Sequence, residues 1–246
     1  MEKFVEHPNL PESNVSIAVL SSNNNTICNG LSQFGMKIIP TEELKNLHEF
    51  EKFHADLQLL HFGDSLFITF TDVKNYDFLI PHRTYFSPVG KYPNNILLNA
   101  LIIGQYIFCH KKYINKTVIE IAEQKNMEVV HVNQGYTKCS AAVVSENALI
   151  TADDSIFLAA SKKGLDVLKI RPGFIELPGV NYGFIGGTCG KIDKNTLAFA
   201  GKVESHPDYE LMKSFAQNYH VDLYSLTNEP LYDIGGIIPI KEKFDD

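Results

Sequence analysis

Apolar residues along this chain come mostly in short runs of four to six, paired across turns of about three residues, and several pairs lead into a stretch with helical spacing. Two stretches show the pattern most completely. Strands over 139–144 and 148–151 flank the turn Ser145, Glu146 and Asn147, and are followed by a helix over 155–163, a stop at Gly164 and a strand over 167–170. Strands over 189–192 and 197–200 flank Asp193, Lys194 and Asn195, and lead through a helix over 208–219, opened by Pro207, to a strand over 221–225. A third copy runs through strands over 96–101 and 106–109, a helix over 116–124 and a strand over 128–132. A fourth has strands over 57–61 and 65–69 around Phe62, Gly63 and Asp64, with its helix missing or very short.

The two ends of the sequence complement each other. The first stretch has strands over 16–20 and 36–39 with a helix over 26–33, one strand short of the unit, while the last apolar run, 235–240, is a strand with no unit of its own. Letting the last strand complete the first unit removes an open sheet edge. The expectation is therefore α/β: a single domain over 1–246, built as a five-bladed α/β propeller of repeated ββαβ units and closed by the C-terminal strand. Its units cover about 14–41 plus 231–240, 54–81, 92–133, 136–172 and 186–226. An ordinary open α/β sheet is the alternative, since strand and helix alternation alone does not set topology.

Composition narrows the function classes. With 44% hydrophobic and 11% aromatic residues in 246, the chain can fill a sizeable core. A net charge of −7 with scattered Lys and Arg offers no phosphate-neutralising stripe, so neither nucleic acid nor an anionic membrane surface is expected as a partner. No apolar run approaches the roughly 20 residues of a membrane span, and the polar start MEKFVEHPNLPESN carries no leader-like core, which reads as cytoplasmic. The four cysteines, Cys28, Cys109, Cys139 and Cys189, lie far apart without CxxC or His-rich spacing and read as reduced thiols. Neither a P-loop nor GxGxxG is present, so no cofactor is expected, and the scattered His54, Asp56, Cys139 and Cys189 make a weak metal set.

Five ββαβ units closed by a GG-containing strand resemble the pentein fold of guanidine-modifying enzymes, which includes arginine and agmatine deiminases, dimethylarginine hydrolases, amidinotransferases and a non-enzymatic ribosome anti-association factor. More narrowly, HADLQ, GYTKCS, ITADD, FIGGTCG and DIGGIIP resemble a bacterial family of unknown function assigned to that fold. The resemblance implies a Cys nucleophile, a His acid and base, and carboxylates that hold a guanidinium. His54 and Asp56 resemble the family's HxD motif, whose His shuttles protons and whose Asp grips substrate, although the motif comes here in the second unit, ahead of its usual order. The usual nucleophile closes a GGxxC motif; here the frame reads Gly235, Gly236, Ile237, Ile238, Pro239 and holds no thiol.

The repeat brings the residues leading into each first strand to one end of the ring: His54 and Asp56, Asn94 and Asn95, Lys138 and Cys139, Thr188 and Cys189, and Asp233. The ends of the returning strands come back to the same side with Asp72, Asp153, Asp154, Glu204 and His206. Each has a plainer use. Cys139 is a nucleophile with Lys138 lowering its pKa, or a small buried filler. His54 and Asp56, on one face of a strand by alternation, are base and clamp, or a hydrogen-bonded strand start. Cys189 sits among glycines that suit close packing or an anion nest. Asp154 or Ser155 caps a helix, leaving Asp153 for a ligand, and capping explains part of Glu204 to His206. Cys28 and Cys109 read as core. Two functions follow: a Cys139-dependent hydrolase or transferase of a small guanidine, amidine or amide, with Asp56, Asn94, Asp153, Asp154, Cys189, Glu204, His206 and Asp233 around the substrate; or a non-catalytic ring that binds a small molecule or a protein.

Overall fold

A computed structural model describes residues 1–70, 74–76, 79 and 82–244. After a short edge strand β1 (Glu2–Phe4) come β2 (Asn14–Leu20), helix α1 (Asn25–Ser32) and β3 (Lys37–Pro40). A four-residue helical turn, α2 (Ala55–Gln58), leads into β4 (Leu59–His61), β5 (Phe67–Phe70) and β6 (His82–Thr84). The third unit holds β7 (Leu101–Ile103), β8 (Tyr106–Cys109), α3 (Lys116–Gln124) and β9 (Glu128–His131). The fourth holds β10 (Ala141–Ser145), β11 (Ala148–Thr151), α4 (Asp154–Lys162) and β12 (Asp166–Lys169). The fifth holds β13 (Cys189–Lys191), β14 (Thr196–Phe199), α5 (Tyr209–Gln217) and β15 (Asp222–Ser225), and β16 (Ile238–Lys243) ends the chain.

The grammar read from the hydrophobic pattern has a physical counterpart in pairing. In the four three-stranded sheets the first two strands are an antiparallel hairpin and the third lies parallel to the second. A parallel partner requires a crossover, and in units three to five a nine-residue helix supplies it. These helices are too short to be stable alone; each holds by one apolar face, and α3 and α4 also by a side-chain cap. Asn115 caps α3 through Thr117 N–H at 2.9 Å, and Val118, Ile121 and Ala122 are buried beneath it. The last strand does supply what the first unit lacks, since β16 runs antiparallel to β2 with Ile238 opposite Val19. β1, too short and polar to be read as a strand, covers the other edge of β16.

Every sheet is separate and none closes on itself. The hydrophobic residues between them form four clusters. One joins the first, second and third sheets through Val19, Ile240, Phe67, Phe70 and Ile107. The others join the third to the fourth (Phe108 and Val143), the fourth to the fifth (Val144 and Phe199), and the fifth to the first (Ala198 and Leu20).

The first strands expected from 57, 96 and 139 begin too early, their strands starting at Leu59, Leu101 and Ala141, whereas the one expected from Cys189 starts there. Residues 55–58 coil into a helical turn and 137–140 form a turn before their strands start; 185–188 also coil, ahead of the strand that starts at Cys189 as expected. A buried apolar stretch reads alike as strand or helix over four residues, so hydrophobicity did not separate them. Asp72 and most of the expected connection after β5 lie outside the described residues. Among the described residues no helix is long and apolar enough to cross a membrane.

Candidate active site

Turns leading into the first strands of three units, together with the segment before β16, are knitted into one floor. Gly187 N–H donates to Cys139 O at 2.9 Å, Gly187 O accepts from Ile234 N–H and Gly236 N–H, and Asp56 N–H donates to Gly235 O. Glycine is required here for space. A Cβ on Gly187 would stand 2.0 Å from Asp233 Oδ1, and one on Gly235, whose φ is +75°, would stand 2.4 Å from the Cβ of His54. These two close approaches bring His54, Asp56, Cys139 and Asp233 into one cluster.

Cys139 Sγ donates to Asp56 Oδ2 at 2.6 Å, and one ligand-type atom from each of His54, Asp56 and Cys139 lies within 4.8 Å of the others. Nδ1 of His54 stands 3.9 Å from Asp233 Oδ1. Asp233 is itself held by Gly235 N–H at 3.0 Å and Phe184 N–H at 2.9 Å. Asn99 fixes the thiol from behind: its Oδ1 accepts from Lys138 N–H at 2.8 Å, and its Nδ2 faces Cys139 Sγ at 3.6 Å. A third carboxylate, Glu51, accepts from Asn95 Nδ2 at 2.9 Å and from the Tyr136 hydroxyl at 3.0 Å. His54, Glu51, Cys139 and Asp233 open on a cavity of about 150 Å³, roofed by Phe50, Tyr136, Leu177, Val180, Tyr182 and Phe184. The floor is thus anionic and the roof apolar and aromatic.

Burial dominates the electrostatics. Asp56 is 2% exposed, and its carboxyl is pushed up to about 6, chiefly by desolvation, although the neighbouring His54 and the Cys139 hydrogen bond pull it down. Its Oδ1 has no hydrogen-bond partner. The Cys139 thiol is held well above its ordinary value by burial first and then by Asp56 and Asp233. The Cys139 pKa is thus not brought down as expected from Lys138 beside it, while the Lys138 charge favours the ionised forms of Asp56 and Cys189. The cluster of His54, Asp56 and Cys139 has the donor types that also suit a divalent metal, and it is the one such group among the described residues.

The remaining expected residues go elsewhere. Asn94 is exposed, and its neighbours Asn95 and Asn99 reach the site in its place. Asp153, not Asp154 or Ser155, caps α4, accepting from Ile156 N–H at 2.9 Å and the Ser155 hydroxyl at 2.7 Å, so it is not a free ligand. Asp154 is exposed and pairs with Lys169. Glu204 accepts from the Ser225 hydroxyl at 2.6 Å, and the buried His206 accepts Asp208 N–H at 3.1 Å, both away from the cavity. Cys189 packs below the floor, its thiol donating to Ile185 O at 3.4 Å and pushed up to about 12 by burial. All four cysteines are free, but Cys28 is only half-buried. His54 and Asp56 do not share a strand face: His54 precedes the first turn of α2 and Asp56 lies inside it. Sequence reasoning missed Glu51, Asn99 and the aromatic roof. Glu51 sits in a charged run that reads as a solvated face, and a lone Asn carries no signal.

Several solved structures share this fold. An inosamine-phosphate amidinotransferase from Streptomyces griseus aligns at a TM-score of 0.59 and 8% identity over 99% of this chain and 97% of its own. The agmatine deiminase of C. jejuni aligns at 0.55 and 13%, covering 94% of each chain. DDAH from Pseudomonas aeruginosa aligns at 0.53 and 10%, over 94% of this chain and all of its own. At such identity the likeness establishes the pentein fold and leaves the chemistry to the site. The closing frame departs from the expected thiol motif, for Pro239 lies within β16 opposite Ala18. The sequence matches none of the curated proteins with which it was compared. Over residues 19–238 it matches the model of a family of unknown function, DUF6873, and to that family this chain belongs.

Proposed function

We propose that this protein is a cytoplasmic, single-domain pentein whose five sheets stand in a closed ring, and that it acts as a Cys139-dependent hydrolase or transferase on a small guanidine, amidine or amide. The ring is supported by the four apolar clusters, which link each sheet to the next and the fifth back to the first. Four unpaired thiols suit a reducing compartment. The observation that carries the chemistry is the convergence of a thiol, an imidazole and buried carboxylates on one small cavity. Three carboxylates within or beside a desolvated space favour a delocalised cation, and a cavity near 150 Å³ takes a group about the size of benzene. The structural neighbours include an agmatine deiminase and two amidinotransferases, which is consistent with such a ligand.

In this reading the substrate cation lies over Asp56, Asp233 and Glu51 with its central carbon facing Cys139. The positive charge offsets the acids that suppress thiol ionisation, so the thiolate forms with substrate bound. The thiol proton passes to Asp56 as sulfur bonds to the amidine carbon. Protonated His54 then gives a proton to the leaving nitrogen as the C–N bond breaks. Water, or an acceptor amine in a transferase, attacks the thio-linked carbon with His54 taking its proton, the S–C bond breaks, and Asp56 returns its proton to the departing sulfur, which restores the thiol and leaves His54 protonated for the next cycle. A second reading rests on the high thiol pKa and its 2.6 Å bond to Asp56: the same pocket binds a cation and leaves it unchanged.

Labelling by chloroacetamidine, with chloroacetamide as control, followed by intact-mass and peptide mapping, separates the two. Saturable modification of Cys139 by the amidine, at least tenfold faster than by the amide, supports covalent catalysis. All four thiols unlabelled until denaturation, or equal labelling by both reagents, leaves only the binding reading.

A further inference from the structure

Strand β10 runs from the floor beside Cys139 to the hairpin turn at Ser145, rising about 3.3 Å per residue. At that far end, on the side of the hairpin turns, lies a second cavity of about 570 Å³, inside the range typical of small-molecule sites. It is bounded by the turns after β7, β10 and β13 and by the segment 7–12, which is tied down by hydrogen bonds from Glu12 N–H and Ser13 N–H to Glu242 Oε2, each 2.7 Å. Pro8, Leu10, Ile102 and Val144 make apolar walls.

Lys191 lines this space although only 5% of it is exposed. Its ammonium donates to two backbone carbonyls, Val144 O at 3.2 Å and Lys194 O at 2.5 Å, which use two of its three N–H groups. Among the described residues no carboxylate forms an ion pair with it; the nearby Glu12 is engaged at the rim by Lys194 at 2.6 Å. A buried ammonium held by two neutral carbonyls, on a residue that lines a cavity, lacks an ion-paired counter-ion among the described residues, and that is costly to leave unmet. Burial accordingly lowers its pKa to about 8, against the opposing pull of Asp193 and Glu12.

The charge pattern selects the missing partner. One deep cation asks for one negative charge; at the rim Glu12 and Lys194 offset each other, Glu146 disfavours a second anion, and the apolar walls favour a carbon skeleton. We propose that this cavity is a second ligand site, which takes a small monocarboxylate with an apolar body and pairs its carboxylate with Lys191. The site is independent of the Cys139 chemistry.

Benzoate is the probe, titrated by calorimetry and by chemical shifts against benzamide and inorganic phosphate, on the full chain. The expected result is saturable benzoate binding at least tenfold tighter than benzamide or phosphate, lost by at least tenfold in Lys191→Met, retained in Lys191→Arg and unchanged in Cys139→Ala. Benzamide or phosphate binding as tightly as benzoate overturns the proposal, and so does the absence of benzoate binding. The comparison of probes on the unaltered protein decides the matter even if Lys191→Met does not fold.

Discussion

Asp56 is a fully buried carboxyl that accepts a hydrogen bond from a thiol and leaves its other oxygen unpartnered, and burial outweighs the pull of His54 and Lys138 on it. Its folded-state value of about 6 lies above the ordinary carboxylate value of about 3.9, so the folded state binds that proton more tightly than the unfolded one. The stabilisation from protonating Asp56 is complete below pH 4 and is lost as pH rises through 6. Asp56→Asn is expected to flatten the stability profile between pH 4 and 6. At pH 7.5 it is expected to stabilise the protein by about 1–3 kcal/mol, the upper figure corresponding to the shift of about two units, while abolishing amidine binding. Urea melts across that range check it; an unchanged slope would show that Asp56 is already ionised without penalty. Cys139→Ala separates chemistry from binding, with turnover gone and benzamidine affinity within about threefold of the parent by calorimetry. At this scale the sequence was partly legible. Cys139, His54, Asp56 and Asp233 were readable because the repeat placed them in equivalent positions. Asn99 was not, because its role is to bond the Lys138 backbone and face the Cys139 thiol, 39 and 40 positions on.

Elements depend on glycine in two different ways. Gly164 and Gly235 both have positive φ, +80° and +75°, but nothing stands within 4 Å of a Cβ on Gly164, whereas one on Gly235 meets His54. Gly164→Ala should therefore lose about 1–2 kcal/mol, the left-handed backbone cost alone. Gly235→Ala should lose more than Gly164→Ala and displace His54, read as a histidine resonance shift and weaker amidine binding. Equal losses for the two would mean that the His54 turn yields freely. The β16 pairing offers another check. Ile240 is fully buried between the first and second sheets, and Ile240→Ala should cost about 2–5 kcal/mol in global unfolding measured by denaturant. Strand and helix existence was legible from apolar spacing, with α3 falling over 116–124 as read. The helical turns before the first strands were not, since four buried residues carry no period that distinguishes helix from strand, and their hydrogen bonds run to other units.

For the whole molecule, the proposed ring predicts that no sheet melts alone, because every apolar cluster is shared between sheets. Calorimetry should show one transition, with a ratio of calorimetric to van't Hoff enthalpy near one. Two transitions would divide the chain and overturn the single-domain reading. What the sequence determined by itself was the repeated ββαβ grammar and the pairing of the last strand with the first unit, since short-range periodicity and an unpaired edge are properties of local patterns. Only the tertiary structure decided which polar residues meet. Asp153 went to a helix cap, Glu204 and His206 to local partners, and Glu51 to the pocket, because side-chain destinations depend on which turns pack together, and that is set by contacts distant in the chain. The same long-range packing buried Lys191 with, among the described residues, no carboxylate ion-paired to it, a fact that no window of sequence contains.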